Sequence, residues 1–109
     1  MEKLRIRGLA SEEYPGGRID SFIIELPEES PHHSHLIPLF LELGFPKEEV
    51  LDKLDIIFKE IDYLFIYGNS RIKAHLIVEG DNLSIKFDTS LSRRKIIKAM
   101  EKYFQFPEQ

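Results

Sequence analysis

Between Ile61 and Thr89 the chain alternates in three short runs separated by Gly68-Asn69 and Gly80-Asp81, and no other stretch narrows its possible folds as much. With Gly80-Asp81 as a two-residue hairpin loop, glycine supplying the positive φ such loops need, Val78 faces Leu83, Leu76 faces Ile85 and Ala74 faces Phe87 on one side. Glu79 and Asn82, Ile77 and Ser84, His75 and Lys86, and Lys73 and Asp88 meet on the other. A slip of one residue would carry the aliphatic side chains to the polar side, so this register is specified. Gly68-Asn69 as the preceding loop predicts Phe65 opposite Ile72 and Tyr63 opposite Ala74 on the apolar side. The same register sends Leu64, Ile66 and Ile77 outward among Arg71, Lys73, His75 and Lys86, which is more apolar surface than a half-wet sheet usually carries.

Upstream, Lys3–Leu9 alternates Leu4 and Ile6 against Lys3, Arg5 and Arg7, a short strand with one apolar side. Arg18–Leu26 turns Phe22, Ile24 and Leu26 inward, and Tyr14-Pro15-Gly16-Gly17 between the two is a turn by composition, which suggests a hairpin. Ser30-Pro31 offers an N-cap followed by a proline at the first helical position. Leu36, Leu39, Phe40 and Leu43 continue at helical spacing, with Pro38 predicting either a kink or a late start near Ser34. Gly44 ends this helix. Pro46 opens a second, with Glu48 and Glu49 in its first turn and Val50, Leu54, Ile57, Phe58 and Ile61 as its stripe. A third runs from about Leu91 to Phe104, capped by Thr89 or Ser90, and buries Ile96, Ile97, Met100, Tyr103 and Phe104.

The order ββααβββα predicts an α+β two-layer sandwich: a mainly antiparallel sheet of about five strands with two or three helices on one face. At 109 residues the chain is read as one domain, 1–109. No apolar run approaches the ~20 residues of a membrane span, and Met1–Leu9 lacks the hydrophobic centre of a signal peptide. With no cysteine, a disulfide framework, a thiolate metal site and a Cys nucleophile are excluded, and the cytoplasm is the default compartment. Asn and Gln are scarce beside Ile, Lys and Glu, a thermophile-like composition. Residues 1–62 carry 7 Lys/Arg against 14 Asp/Glu, while residues 63–109 carry 8 against 5, so an acidic part precedes a mildly basic one. That split argues against nucleic-acid binding by the whole surface and leaves room for a local basic patch or for head-to-tail self-association.

Three places carry chemistry. His32, His33 and His35, with Glu28 and Glu29 upstream, form the one cluster suited to a divalent metal. On a helix His32 and His35 are near neighbours, although neither HExxH nor a second ligand group accompanies them. The bland alternative is a helix start with partly buried rings. Ser90, Ser92, Arg93, Arg94 and Lys95 gather hydroxyls and cations at a helix start, where positive charge is unfavourable and an anion would be welcome. Its bland alternative is a solvated face paired with Asp88 or with the acidic part of the chain. The third candidate, and the preferred one, is the open sheet face, with Leu64, Ile66, Lys73 and Ile77 as the interface, joined by Ile23 and flanked by Arg5, Arg7, Arg71 and Lys86. Burying three aliphatic side chains there offers ~1.5–3 kcal/mol each.

An RNA-reading sheet is disfavoured because base stacking requires outward aromatic side chains, and this reading places none on the central strands. No nucleophile elbow, paired acidic motif or phosphate loop is recognisable, so no nucleotide site of the familiar kind is indicated, any cofactor is unknown, and the sequence neither supports an enzyme nor excludes one. The sequence reads as a non-catalytic interaction module that self-associates or binds a protein partner through the exposed sheet face. The alternative is a binder of an anion or a divalent metal.

Overall fold

The computed structural model describes residues 3–26, 32–57 and 59–108, and for residues 32 and 33 only the backbone. The elements are β1 (Leu4–Tyr14), β2 (Gly17–Glu25), a π-helical turn (His32–Leu36) leading into α1 (Ile37–Glu42), α2 (Lys47–Ile57), β3 (Tyr63–Asn69), β4 (Ile72–Glu79), β5 (Asn82–Thr89), α3 (Arg93–Tyr103) and β6 (Phe104–Gln105). The sheet runs β3-β4-β5-β2-β1-β6 and curls into a half-barrel. Every pairing is antiparallel except β1 with β6. The sheet is therefore mixed and has six strands rather than five. The sixth arises because α3 stops at Tyr103 and Phe104 turns extended, at φ −130° and ψ 147°, to lie beside Leu4.

The β4–β5 register is the one the alternation predicts, with Val78 opposite Leu83, Leu76 opposite Ile85 and Ala74 opposite Phe87. Gly80 at φ +59° makes the turn. The first hairpin forms too, but β1 continues to Tyr14 and leaves only Pro15-Gly16 as its loop.

The β3–β4 register departs from expectation. Tyr63 lies opposite Ile77, Phe65 opposite His75 and Tyr67 opposite Lys73, with a bulge before Asn69. Ser70-Arg71 is the turn, and the Asn69 side chain caps it by accepting the Arg71 N–H at 2.8 Å. Relative to the predicted pairing this is a shift by an odd number of residues, so every β3 side chain changes face. Leu64 and Ile66 join the core, and Tyr63, Phe65 and Tyr67 point outward.

Gly68 sits in the bulge for want of space. A Cβ there would lie 2.7 Å from the Ile72 carbonyl oxygen and 3.1 Å from the Phe45 ring. Gly68→Ala is expected to destabilise the fold by about 1–3 kcal/mol, as overpacking does. A urea midpoint unchanged from wild type would show that the bulge yields freely.

The inner face packs against the helices. Phe22 and Phe87 meet edge-on at 6.2 Å, Phe40 from α1 lies 5.9 Å from Phe87, and Phe45 closes on Phe40 at 5.0 Å. Val50, Leu54 and Ile57 of α2 and Ile96, Ala99 and Met100 of α3 complete the core. Ile61, read as part of the α2 stripe, lies beyond the helix and is exposed, and Phe58 is outside the described residues. The Ser30-Pro31 start is also outside them. Pro38 falls in the first turn of α1, where its missing N–H removes no helical bond, and the wider π-helical turn ahead of it delivers the chain to that position.

Candidate interaction surface

Read across the registers, the outer face consists of parallel rows. Tyr63, Ile77, Ser84, Ile23 and Gly8 form one, Phe65, His75, Lys86, Ser21 and Ala10 the next, and Tyr67, Lys73, Asp88, Ile19 and Glu12 the third. Aromatic rings stand at the β3 end, aliphatic and cationic side chains follow on β4 and β5, and small residues lie toward β1. Tyr63 is 51% exposed, Phe65 36% and Tyr67 50%, whereas Leu64 and Ile66 between them are 5% and 0%. The sheet-face patch of Leu64, Ile66, Lys73 and Ile77 is thus half corrected: Lys73 and Ile77 lie on the open face, and Leu64 and Ile66 belong to the core. β4, β5 and β2 carry no outward aromatic, and the rings that the predicted register turned inward stand outward on the edge strand β3.

The rings are held in place. The Tyr63 hydroxyl lies 3.1 Å from His75 Nδ1, and the His75 ring meets Phe65 edge-on at 4.9 Å. At the far corner Tyr14 donates to Asp88. That hydrogen bond, with some burial and the nearby carboxylate charge, raises the phenol pKa above its ordinary value. Arg7 reaches Asn82 at 2.7 Å and both Glu25 and Asp81 at 3.3 Å, tying the β1 bulge to the β4–β5 turn.

The helix start read as an anion site has its anion within the chain. Asp20, fully buried on the inner side of β2, accepts from Arg93 at 2.9 Å, from Arg18 at 2.8–3.0 Å and from Ser11 at 2.7 Å. Burial alone would raise the Asp20 pKa, but the hydrogen bonds from Arg18 and Ser11 and the charges of Arg18 and Arg93 outweigh it and hold the carboxyl below its usual value. The same partner raises Arg18, which also donates to the Leu91 carbonyl at 2.8 Å. Ser92, not Thr89 or Ser90, is the N-cap, its Oγ accepting the Lys95 N–H at 3.3 Å. Thr89 Oγ1 instead accepts the Leu91 N–H and donates to the Arg71 carbonyl. Ser90, Arg94 and Lys95 are exposed. Aspartate was in reach of the sequence argument: alternation along β2 puts residue 20 on the side of Phe22 and Ile24, and a carboxylate facing inward demands cations.

Of the histidine cluster, His35 is 7% exposed, 2.8 Å from the Ser34 hydroxyl and packed on Phe104 at 6.1 Å. The side chains of His32 and His33, with Glu28 and Glu29, lie outside the described residues, and no group of three metal-ligating side chains occurs among the described ones. Among those residues every buried side-chain polar atom has a hydrogen-bond partner, and no helix is long and apolar enough to cross a membrane. No family model, curated protein or solved structure matches this chain, so the reading of its open face rests on the chemistry of that face.

Proposed function

We propose that the chain is a non-catalytic interaction module that self-associates through the aromatic end of its open sheet face. The observation that carries this is the row Tyr63, Phe65 and Tyr67, about half exposed on an edge strand with Ile77 beside it, while the alternate residues of the same strand are buried. Each ring side chain can bury 150–250 Å². A dimer covers the exposed part of three rings on each copy, which at ~25 cal/mol per Å² contributes roughly 12 kcal/mol gross against an association cost of about 4–15 kcal/mol. A weak dimer follows, with dissociation in the micromolar to millimolar range unless backbone pairing adds to it.

The test is absolute mass by light scattering across concentration and salt. The mass is expected to rise from monomer to dimer, and Phe65→Lys, on the open face of the edge strand, is expected to return it to monomer without unfolding the chain. A monomer at every concentration overturns the reading and leaves a partner of different sequence as the occupant.

A further inference from the structure

We infer that two copies pair edge to edge through β3 about a two-fold axis at Phe65, joining their sheets into one. This rests on the self-association reading and adds to it the strand, the register and the symmetry. β3 ends the sheet, and among the described residues no strand lies against its outer edge. The Val78 N–H donates to the Asp62 carbonyl at 2.7 Å, which fixes the phase of the β3–β4 ladder. In an antiparallel pair both backbone groups of a residue point to the same side, alternating along the strand. Leu64 and Ile66 therefore turn their backbone groups to β4, and Tyr63, Phe65 and Tyr67 turn theirs to the free edge.

The residues on that edge are self-complementary. Tyr63-Leu64-Phe65-Ile66-Tyr67 has the same pattern in both directions. A two-fold axis at Phe65 sets Phe65 against its own copy, Tyr63 against Tyr67 of the second copy, and Leu64 against Ile66 of the second copy. Ring then meets ring on the outer face and aliphatic meets aliphatic on the inner one, with no charge in the stretch to repel its symmetry mate, as an isologous interface requires. The usual protections of an edge strand, an inward charge, a lysine or a proline, are absent from these five positions. A single-stranded nucleic acid could stack on the same rings, but the cation beside Tyr67, Lys73, shares its row with Asp88, and the chain carries a net charge of −4.

The chain has no cysteine, so single thiols report the geometry directly. In hydrogen-bonded antiparallel pairs the Cα atoms are ~5.5 Å apart, within the ~4.4–6.8 Å of a disulfide. Under mild oxidation, or with a short bis-maleimide, Phe65→Cys is expected to yield covalent dimer at least about tenfold faster than Ser84→Cys, because pairing raises the effective thiol concentration. Tyr63→Cys alone should not cross-link, since its two copies stand about 14 Å apart along the strands. Mixed with Tyr67→Cys it should, and that mixture keeps Phe65 in place.

A wild-type dimer in which Ser84→Cys cross-links and neither Phe65→Cys nor the mixture does overturns the edge pairing and leaves self-association through the face intact. A wild-type monomer overturns both. A monomer whose tyrosine fluorescence is quenched by a single-stranded oligonucleotide also overturns both and assigns the rings to base stacking.

Discussion

Asp20→Asn is expected to cost roughly 3–5 kcal/mol of unfolding free energy, the range found when one partner of a buried ion pair is removed. Such a loss is a large part of the ~5–15 kcal/mol that holds a domain folded. Asn keeps the shape of the side chain but removes the charge that Arg18 and Arg93 neutralise, and the Arg18 side chain is only 13% exposed. Three elements lose a common point at once, because Asp20 joins Ser11 on β1, Arg18 on β2 and the first residue of α3. The folded-state pKa of this carboxyl is lowered, so its contribution is complete above the ordinary aspartate value of about 3.9 and is lost as the pH falls through the lower folded value. Urea titrations from pH 7 down to pH 2 should show the wild type losing stability on this acid limb and Asp20→Asn losing less. A loss below about 1 kcal/mol at pH 7 would mean that the cluster behaves as a solvated surface pair.

Ile66→Lys is expected to abolish folding, and Ile77→Lys to change stability by less than about 1 kcal/mol. Ile66 is completely buried, so the substitution removes an aliphatic side chain worth ~2–5 kcal/mol and forces an ammonium into a site without a partner. Ile77 stands on the open face beside Tyr63 and Ser84, where a lysine stem can lie along the sheet with its charge in water. Circular dichroism and a thermal melt on the two variants separate the β3 registers. Ile77 faces outward in either register and serves as the control, so a folded Ile66→Lys would restore the register with Gly68-Asn69 as the turn.

The two registers also mark how far this sequence can be read. The β4–β5 hairpin was legible because a single turn candidate, Gly80-Asp81, agreed with alternation on both sides of it. At the β3–β4 turn two signals disagreed, since Gly68-Asn69 has turn composition for other reasons: Gly68 because Ile72 and Phe45 leave no room for a Cβ, and Asn69 because its side chain caps the turn that follows. The clue was the aliphatic excess that the Gly68-Asn69 register left outside, and moving the turn to Ser70-Arg71 takes Leu64 and Ile66 out of it. β6 was hidden because a two-residue strand has no period. The Asp20 cluster was hidden because its cation from α3 lies 73 residues away, although an inward carboxylate and a helix start rich in cations are two halves of one balance.

The seam between β2 and β5 has a kinetic consequence. β1–β2 is a hairpin and β3–β4–β5 a meander, each built from neighbouring residues, and the two meet in the sheet only where Arg18 through Glu25 align with Thr89 through Asn82. Closing that seam brings together a hairpin and a meander separated by α1 and α2, an entropic cost met before its contacts are rewarded. Commitment to the native topology therefore depends on Phe22, Ile24, Ile85 and Phe87 finding one another.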